Sequence, residues 1–286
     1  MASHRALRTK LRAYRSLGEV VETMRDLALI EIGKLGRAHI ARRRVIDGIR
    51  SVADELLYHY PGLSARQALT PVNLLIGSER GFCGDYNDRI LEHWQHHLST
   101  AETHGPIVIA VGRKMGEKLP PGTNLFSTLE GAATSDELDQ TLTAVVQTID
   151  RLQRSRGTSA LKIVAIYADE NQGPRIDPIL PMHVSLGSAP SARSAPDTNV
   201  PIADLFRAVV DQYVSSMLAE AFNTALIAEN RMRLQHMSGA AQRLSQRIGE
   251  LTRSMNRLRQ EMITTEIETI LLGASGSSSR RQRFRG

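Results

Sequence analysis

The run from Pro201 to Leu272 constrains this chain more than any other stretch. It has no proline after Pro201 and only two interior glycines, Gly239 and Gly249. Within it Met237, Ala241, Leu244, Ile248, Leu251, Met255, Leu258 and Met262 follow one another at alternating spacings of four and three. A seven-residue repeat held over more than three heptads is a coiled-coil seam. At about 1.5 Å per residue an unbroken helix of this length reaches roughly 100 Å, several times the diameter of a small domain. Such a helix is a rod, and its seam needs a partner.

The other end of the chain offers one. From about Ser3 to Tyr60, Leu7, Leu11, Tyr14, Val21, Met24 and Ala28 share one side, with Gly18 at a seam position. Basic residues crowd the other faces and recur at Arg42, Arg43 and Arg44, and Pro61-Gly62 ends the run. The simplest burial of both stripes is against each other, antiparallel, with everything between them folded as an insertion. The loop-closure cost of that arrangement grows only slowly with length.

The insertion has a different texture. Val72–Ile76, Ile107–Val111 and Leu161–Tyr167 are short apolar runs with β-branched residues, as in buried strands. Helical spacing fills the gaps: Ile90, Leu91, Trp94 and Leu98 in Asp85–Leu98, then Leu138, Leu142, Val145, Val146, Ile149 and Leu152 in Ser135–Arg154, with Ser135 as a cap. Strands alternating with helices imply right-handed crossovers and a mostly parallel sheet. After Tyr167 come Pro174, Pro178 and Pro181, and Ser185–Asn199 is rich in Ser, Ala and Pro, as in a flexible connection. The expected fold is α/β: two long terminal helices forming an antiparallel coiled coil, with an inserted Rossmann-like α/β domain. Its parts are an N-terminal helix over 1–60, the α/β domain over 70–199, a C-terminal helix over 201–272 and a disordered basic tail over 273–286.

Composition removes several classes. A single cysteine, Cys83, cannot form an intramolecular disulfide, so a disulfide-stapled secreted fold is excluded. No uncharged apolar stretch approaches the ~20 residues that cross a bilayer. Arg5, Arg8, Lys10, Arg12 and Arg15 break up any signal-like segment, and the chain reads as soluble and intracellular. A net charge of +6 permits nucleic acid or an acidic protein as partner. Yet the basic residues alternate with acids along the helices, and no stacking aromatics accompany them. A basic coiled-coil protein binding nucleic acid is therefore the alternative reading, with Arg280, Arg281, Arg283 and Arg285 in its favour.

No catalytic or metal-binding constellation emerges. His93, His96 and His97 share a helix without a third and fourth ligand nearby, which fits a histidine-bearing surface. Gly112–Gly116 lacks both phosphate-loop spacings and fits a turn into a helix. Cys83 lies in Gly81-Phe82-Cys83-Gly84, where a small buried residue in a tight turn explains it better than a reactive thiol. No cofactor is expected.

Two segments carry a family resemblance. Ile76–Asn87, IGSERGFCGDYN, resembles the sheet-to-helix segment of the γ subunit of F-type ATP synthases, usually close to S-D-R-G-L-C-G-G-L-N. Its matching residues are Arg80, Gly81, Cys83, Gly84 and Asn87. In the C-terminal run Glu229-Asn230, Met237, Leu251-Thr252, Asn256, Arg259-Gln260, Ile263-Thr264, Glu266, Ile270 and Gly273-Ala274 fit that family's N-x-x-R-Q-x-x-I-T-x-E pattern and its flanks. Leu7-Arg8, Leu11, Met24, Ala28 and Val111–Lys114 agree more weakly. Departures mark a divergent member: acids at Glu22 and Asp26, bulky Leu29 and Ile30, Met255 in place of a tyrosine, and a longer basic tail.

The resemblance implies a central-stalk rotor, one copy per complex, that makes no bonds of its own. Implied partners are the α and β subunits of a hexameric ring, an ε-type subunit and the c-ring of the membrane sector. The complex would sit at the cytoplasmic face of the cell inner membrane, with this chain peripheral. Met24, Arg25, Gln260, Thr264 and Glu266 are the implied ring contacts, and Ile267, Ile270 and Leu271 the implied bearing. Chloroplast-type γ subunits carry an inserted dithiol switch, which one cysteine cannot form.

Overall fold

A computed structural model describes residues 2–63, 69–100, 105–157, 160–182 and 198–282, without the side chains of 2–4, 37–43 and 272–282. Nearly all of the expected linker Ser185–Asn199 falls outside these residues, as do Arg283 and Arg285. Chain order is α1 (Ala2–His59), β1 (Leu69–Ile76), α2 (Tyr86–Thr100), β2 (Ile107–Val111), α3 (Arg113–Gly116), β3 (Leu125–Leu129), α4 (Leu138–Ser155), β4 (Ala160–Asp169), β5 (Gly173–Leu180) and α5 (Ile202–Gln282). The backbone divides into two compact units, residues 1–25 with 237–286, and residues 26–236.

In the larger unit the sheet order is β3-β2-β1-β4-β5, with β3, β2, β1 and β4 parallel and β5 antiparallel to β4. Order 3-2-1-4-5 is that of a doubly wound sheet, here closed by one reversed strand. Every residue of the interior strand β2 is buried, as its unbroken apolar run requires. Two strands escape the sequence pattern. β3 is short and half-exposed, and β5 contains Pro174 and Pro178. Both lie at sheet edges, where little apolar patterning is needed and proline costs few ladder bonds.

Alternation along β1 divides the core. Val72, Leu74 and Ile76 face a layer formed by Val145, Ile149 and Leu152 of α4 and by Leu218, Phe222 and Leu226 of α5. Leu75 faces the opposite layer, with Tyr86, Ile90 and Trp94 of α2. Each such buried side chain contributes about 1.5–3 kcal/mol. The first layer also takes in Leu35 of α1, so the sheet core draws on residues well outside 70–199. Ser135 does not cap α4: it opens a short 3-10 turn, and its buried hydroxyl has no partner.

In the smaller unit the heptad stripes are the least exposed positions of both helices. Leu11 and Val21 are buried, and Leu7, Tyr14, Gly18 and Met24 are half-buried. On α5, Met237 and Leu251 are buried while Ala241, Leu244, Ile248, Met255 and Leu258 are half-buried. The guanidinium of Arg247 bonds Glu250 at 2.6 Å and lies close to the Tyr14 side chain of α1. α5 does not stop at Gly273-Ala274 as expected but continues helical to Gln282. No proline falls within 273–282 to break the backbone ladder.

Candidate functional site

Burial along α5 changes abruptly after Leu258. From Arg259 to Leu271 every residue is exposed, on all faces of the helix. Met262, the last residue of the heptad series, is 41% exposed and so no longer lies in a seam. Ile263, Ile267, Ile270 and Leu271 form an apolar stripe at helical spacing, and Ile270 is 65% exposed. Gln260, Thr264 and Glu266 lie on the same uncovered length, as does Arg259. The Thr264 hydroxyl is turned back to the Gln260 carbonyl at 3.0 Å. Asn256 is exposed beside the seam, whereas Met24 and Arg25 are half-buried on α1.

The second motif is built at the end of β1. Asn87 holds the segment closed: its side-chain carbonyl accepts the Ser78 amide at 2.9 Å and its amide donates to the Ser78 hydroxyl at 2.8 Å. The Cys83 thiol points inward to the same hydroxyl at 3.4 Å. Burial pushes that thiol up, so it stays protonated and unreactive. Gly84 has φ +63°, a left-handed turn, and Arg80 is exposed while Gly81 is half-buried. Phe82 adopts φ +65° and stands 59% exposed. Glu79 accepts the amides of Arg113 and Gly131, both at 2.9 Å, locking this segment to the neighbouring loops. Gly112 explains the glycine of GRKMG: a Cβ there would stand 2.6 Å from the Gly77 carbonyl oxygen. It is a packing glycine at a close backbone approach, not part of a phosphate loop.

Beneath this segment α5 carries a buried ion pair, Glu229 with Arg233, and Arg233 also donates to Asn230 at 2.8 Å. Burial raises the Glu229 carboxyl to about 7 against the pull of Arg233. The Tyr86 hydroxyl donates to the Ala225 carbonyl at 3.0 Å, pinning α2 on α5. Arg233 was legible as an i+4 partner of Glu229; Glu79 and Tyr86 gave no signal of their own, because their partners are distant in sequence. Among the described residues no three His, Cys, Asp or Glu side chains are grouped to hold a metal, the α2 histidines included. Nor is any described helix long and apolar enough to cross a membrane.

Long helices at both ends of the chain and a parallel-rich sheet between them in sequence define a mixed α/β protein. A model of the ATP synthase family matches residues 3–276, and the chain belongs to that family. It is 24% identical over 297 residues to the ATP synthase gamma chain of Nitrosomonas europaea, covering 96% of this chain and 99% of that one. Against the ATP synthase gamma chain of Thiobacillus denitrificans it is 26% identical over 298 residues, with 96% and 99% covered. Its fold is similar to a chain of the Euglena gracilis mitochondrial ATP synthase rotor, with TM-score 0.58, 16% identity, and 92% and 99% of the two chains covered. A chain from the OSCP/F1/c-ring assembly of the same enzyme gives TM-score 0.59 at 17% identity, with 98% and 96% covered.

Proposed function

We propose that this chain is the central-stalk rotor subunit of a rotary ATP synthase, passing torque between a membrane ion-driven c-ring and a nucleotide-binding hexamer. The observation that carries this reading is the uncovered end of α5. A helix supported along one seam as far as Leu258, then exposed on every face with an apolar stripe, is shaped to enter another structure.

α1 and α5 pair antiparallel. Tyr14 meets Arg247. In the larger unit Arg50 approaches Tyr213 at 3.3 Å, again pairing the later part of α1 with the earlier part of α5. The same register puts Met24 opposite Met237, so Met24 and Arg25 stand about 35 Å from Gln260 along the rod and would serve a different level of the ring.

In this reading Gln260, Thr264 and Glu266 face the α and β subunits, while Ile267, Ile270 and Leu271 turn within an apolar collar. The 26–236 unit meets an ε-type subunit and the c-ring, the chain is peripheral at the cytoplasmic face of the cell inner membrane, and one copy serves each complex. It binds no nucleotide and makes no bonds. Each orientation of the rod must differ in contact free energy with open and closed catalytic subunits, or nothing would couple.

Affinity purification of the tagged chain from its native cell tests this directly. A large membrane-attachable complex with ATPase activity is expected. Recovery of a free chain that binds DNA with steep salt dependence would instead favour the nucleic-acid reading.

A further inference from the structure

Within the 26–236 unit, the hairpin that joins β4 to β5 is bracketed by two guanidiniums. On one side of its turn Glu170 accepts Nε of Arg231, from α5, at 2.6 Å. On the other side Gly173, with φ +78°, lies against α2: a Cβ there would stand 3.5 Å from a terminal nitrogen of Arg89. Between α2, the hairpin and α5 is a cavity of about 440 Å³. Small-molecule sites commonly measure roughly 300–1,000 Å³.

The sheet order makes this position special. From β1 the chain winds outward through β2 to β3, then returns to lay β4 on the other side of β1. Ala168 and Asp169 end β4, and α2 follows β1 from the same edge of the sheet. Doubly wound sheets take ligands in the crevice at the carboxyl ends of the two strands where the winding reverses.

Hydrogen bonding sets the sign of the ligand. Asp169 is occupied within the hairpin: one oxygen accepts the amides of Asn171 at 2.8 Å and Gln172 at 3.1 Å, and the other faces Arg175 at 3.6 Å. Glu170 is taken by Arg231. A guanidinium offers five N–H donors and no acceptor. Among the described residues, the terminal nitrogens of Arg231 and the whole guanidinium of Arg89 have no acceptor. The carboxylates of the wall are answered in place, and donors are in excess. Tyr86, the aromatic of the wall, is 2% exposed with its hydroxyl held by Ala225, so its ring face is closed to a stacking base.

We infer that this cavity binds a small organic oxyanion, a phosphomonoester or a polycarboxylate, gripped between the guanidiniums of Arg89 and Arg231. Charge-assisted bonds to two planar forks give such a group both affinity and orientation. The site goes beyond the rotor reading and does not depend on it.

The full-length chain is titrated with glycerol 3-phosphate and with citrate, against sodium chloride of matched ionic strength. Saturable binding of one anion per chain, at a Kd below about 1 mM, is expected, and the tighter probe tells phosphate from carboxylate. Arg89→Gln should weaken binding about tenfold or more and leave the melting temperature nearly unchanged, since this side chain answers no other charge. Arg231→Gln is made together with Glu170→Gln, so that no carboxylate is left unanswered, and this double variant should weaken binding as well. Arg154→Gln, at an exposed position of α4, should change nothing. Lack of saturable binding by either anion, or equal losses from Arg89→Gln and Arg154→Gln, would overturn the site. A chain that binds the anion yet joins no rotary complex would keep the site and lose the rotor reading, so the two failures are distinguishable.

Discussion

At the scale of single residues, the segment after β1 is held by bonds that tolerate little change. Gly112 combines φ +99° with a Cβ position 2.6 Å from one backbone oxygen and 2.7 Å from another. Gly112→Ala should cost about 1–3 kcal/mol, since neither backbone contact can move aside; urea denaturation measures it. Glu229 makes a pH prediction. Its carboxyl is raised from 4.5 to about 7 in the folded chain, chiefly by burial. The folded state thus holds this proton more tightly than the unfolded state, and the stability it lends is complete below about 4.5 and lost as pH rises through about 7. Glu229→Gln should flatten the dependence of the urea midpoint on pH across that window. An unchanged slope would mean that Arg233 keeps the carboxylate charged throughout.

Among elements, legibility followed periodicity. The seams of α1 and α5 and the apolar runs of β1, β2 and β4 stood out because their burial is continuous over many residues. β3 and β5 did not, since an edge strand buries one face at most and Pro174 and Pro178 read as loop. Glu31 and Glu79 were opaque for a different reason: their partners, Ser135 and Gly131, are distant in sequence and meet them only in the folded chain. The site was half legible. The polar residues of the α5 end are carried by the resemblance, but the loss of burial after Leu258 is visible only in the folded chain. Two predictions belong at this scale. A proline at Leu251 lies where the rod is still paired and should cost about 3 kcal/mol or more, seen as a lower melting temperature by circular dichroism. Alanine at Ile263, Ile267 and Ile270 together should leave that temperature nearly unchanged, because all three are exposed in the isolated chain.

For the molecule as a whole, function is spread thinly. Exposed ion pairs and hydrogen bonds contribute about 0.2–1 kcal/mol each. Gln260→Ala should therefore leave ATP-driven rotation of a reconstituted complex intact; its abolition would show torque concentrated at one contact. Assembly should also slow hydrogen exchange over Arg259–Ile270 relative to the isolated chain, since every residue of that length is exposed until a partner surrounds it.

The first core layer has a consequence for synthesis. Strands β1, β2 and β4 need Leu218, Phe222 and Leu226 to cover them, and those residues leave the ribosome only after the whole sheet has emerged. Until then that face of the sheet is covered only in part, by α4 and Leu35, and a fragment ending near residue 199 should aggregate instead of folding. The sheet is finished by the same helix that carries the later heptads, so no nascent chain can present a completed domain without having already begun its coiled-coil helix.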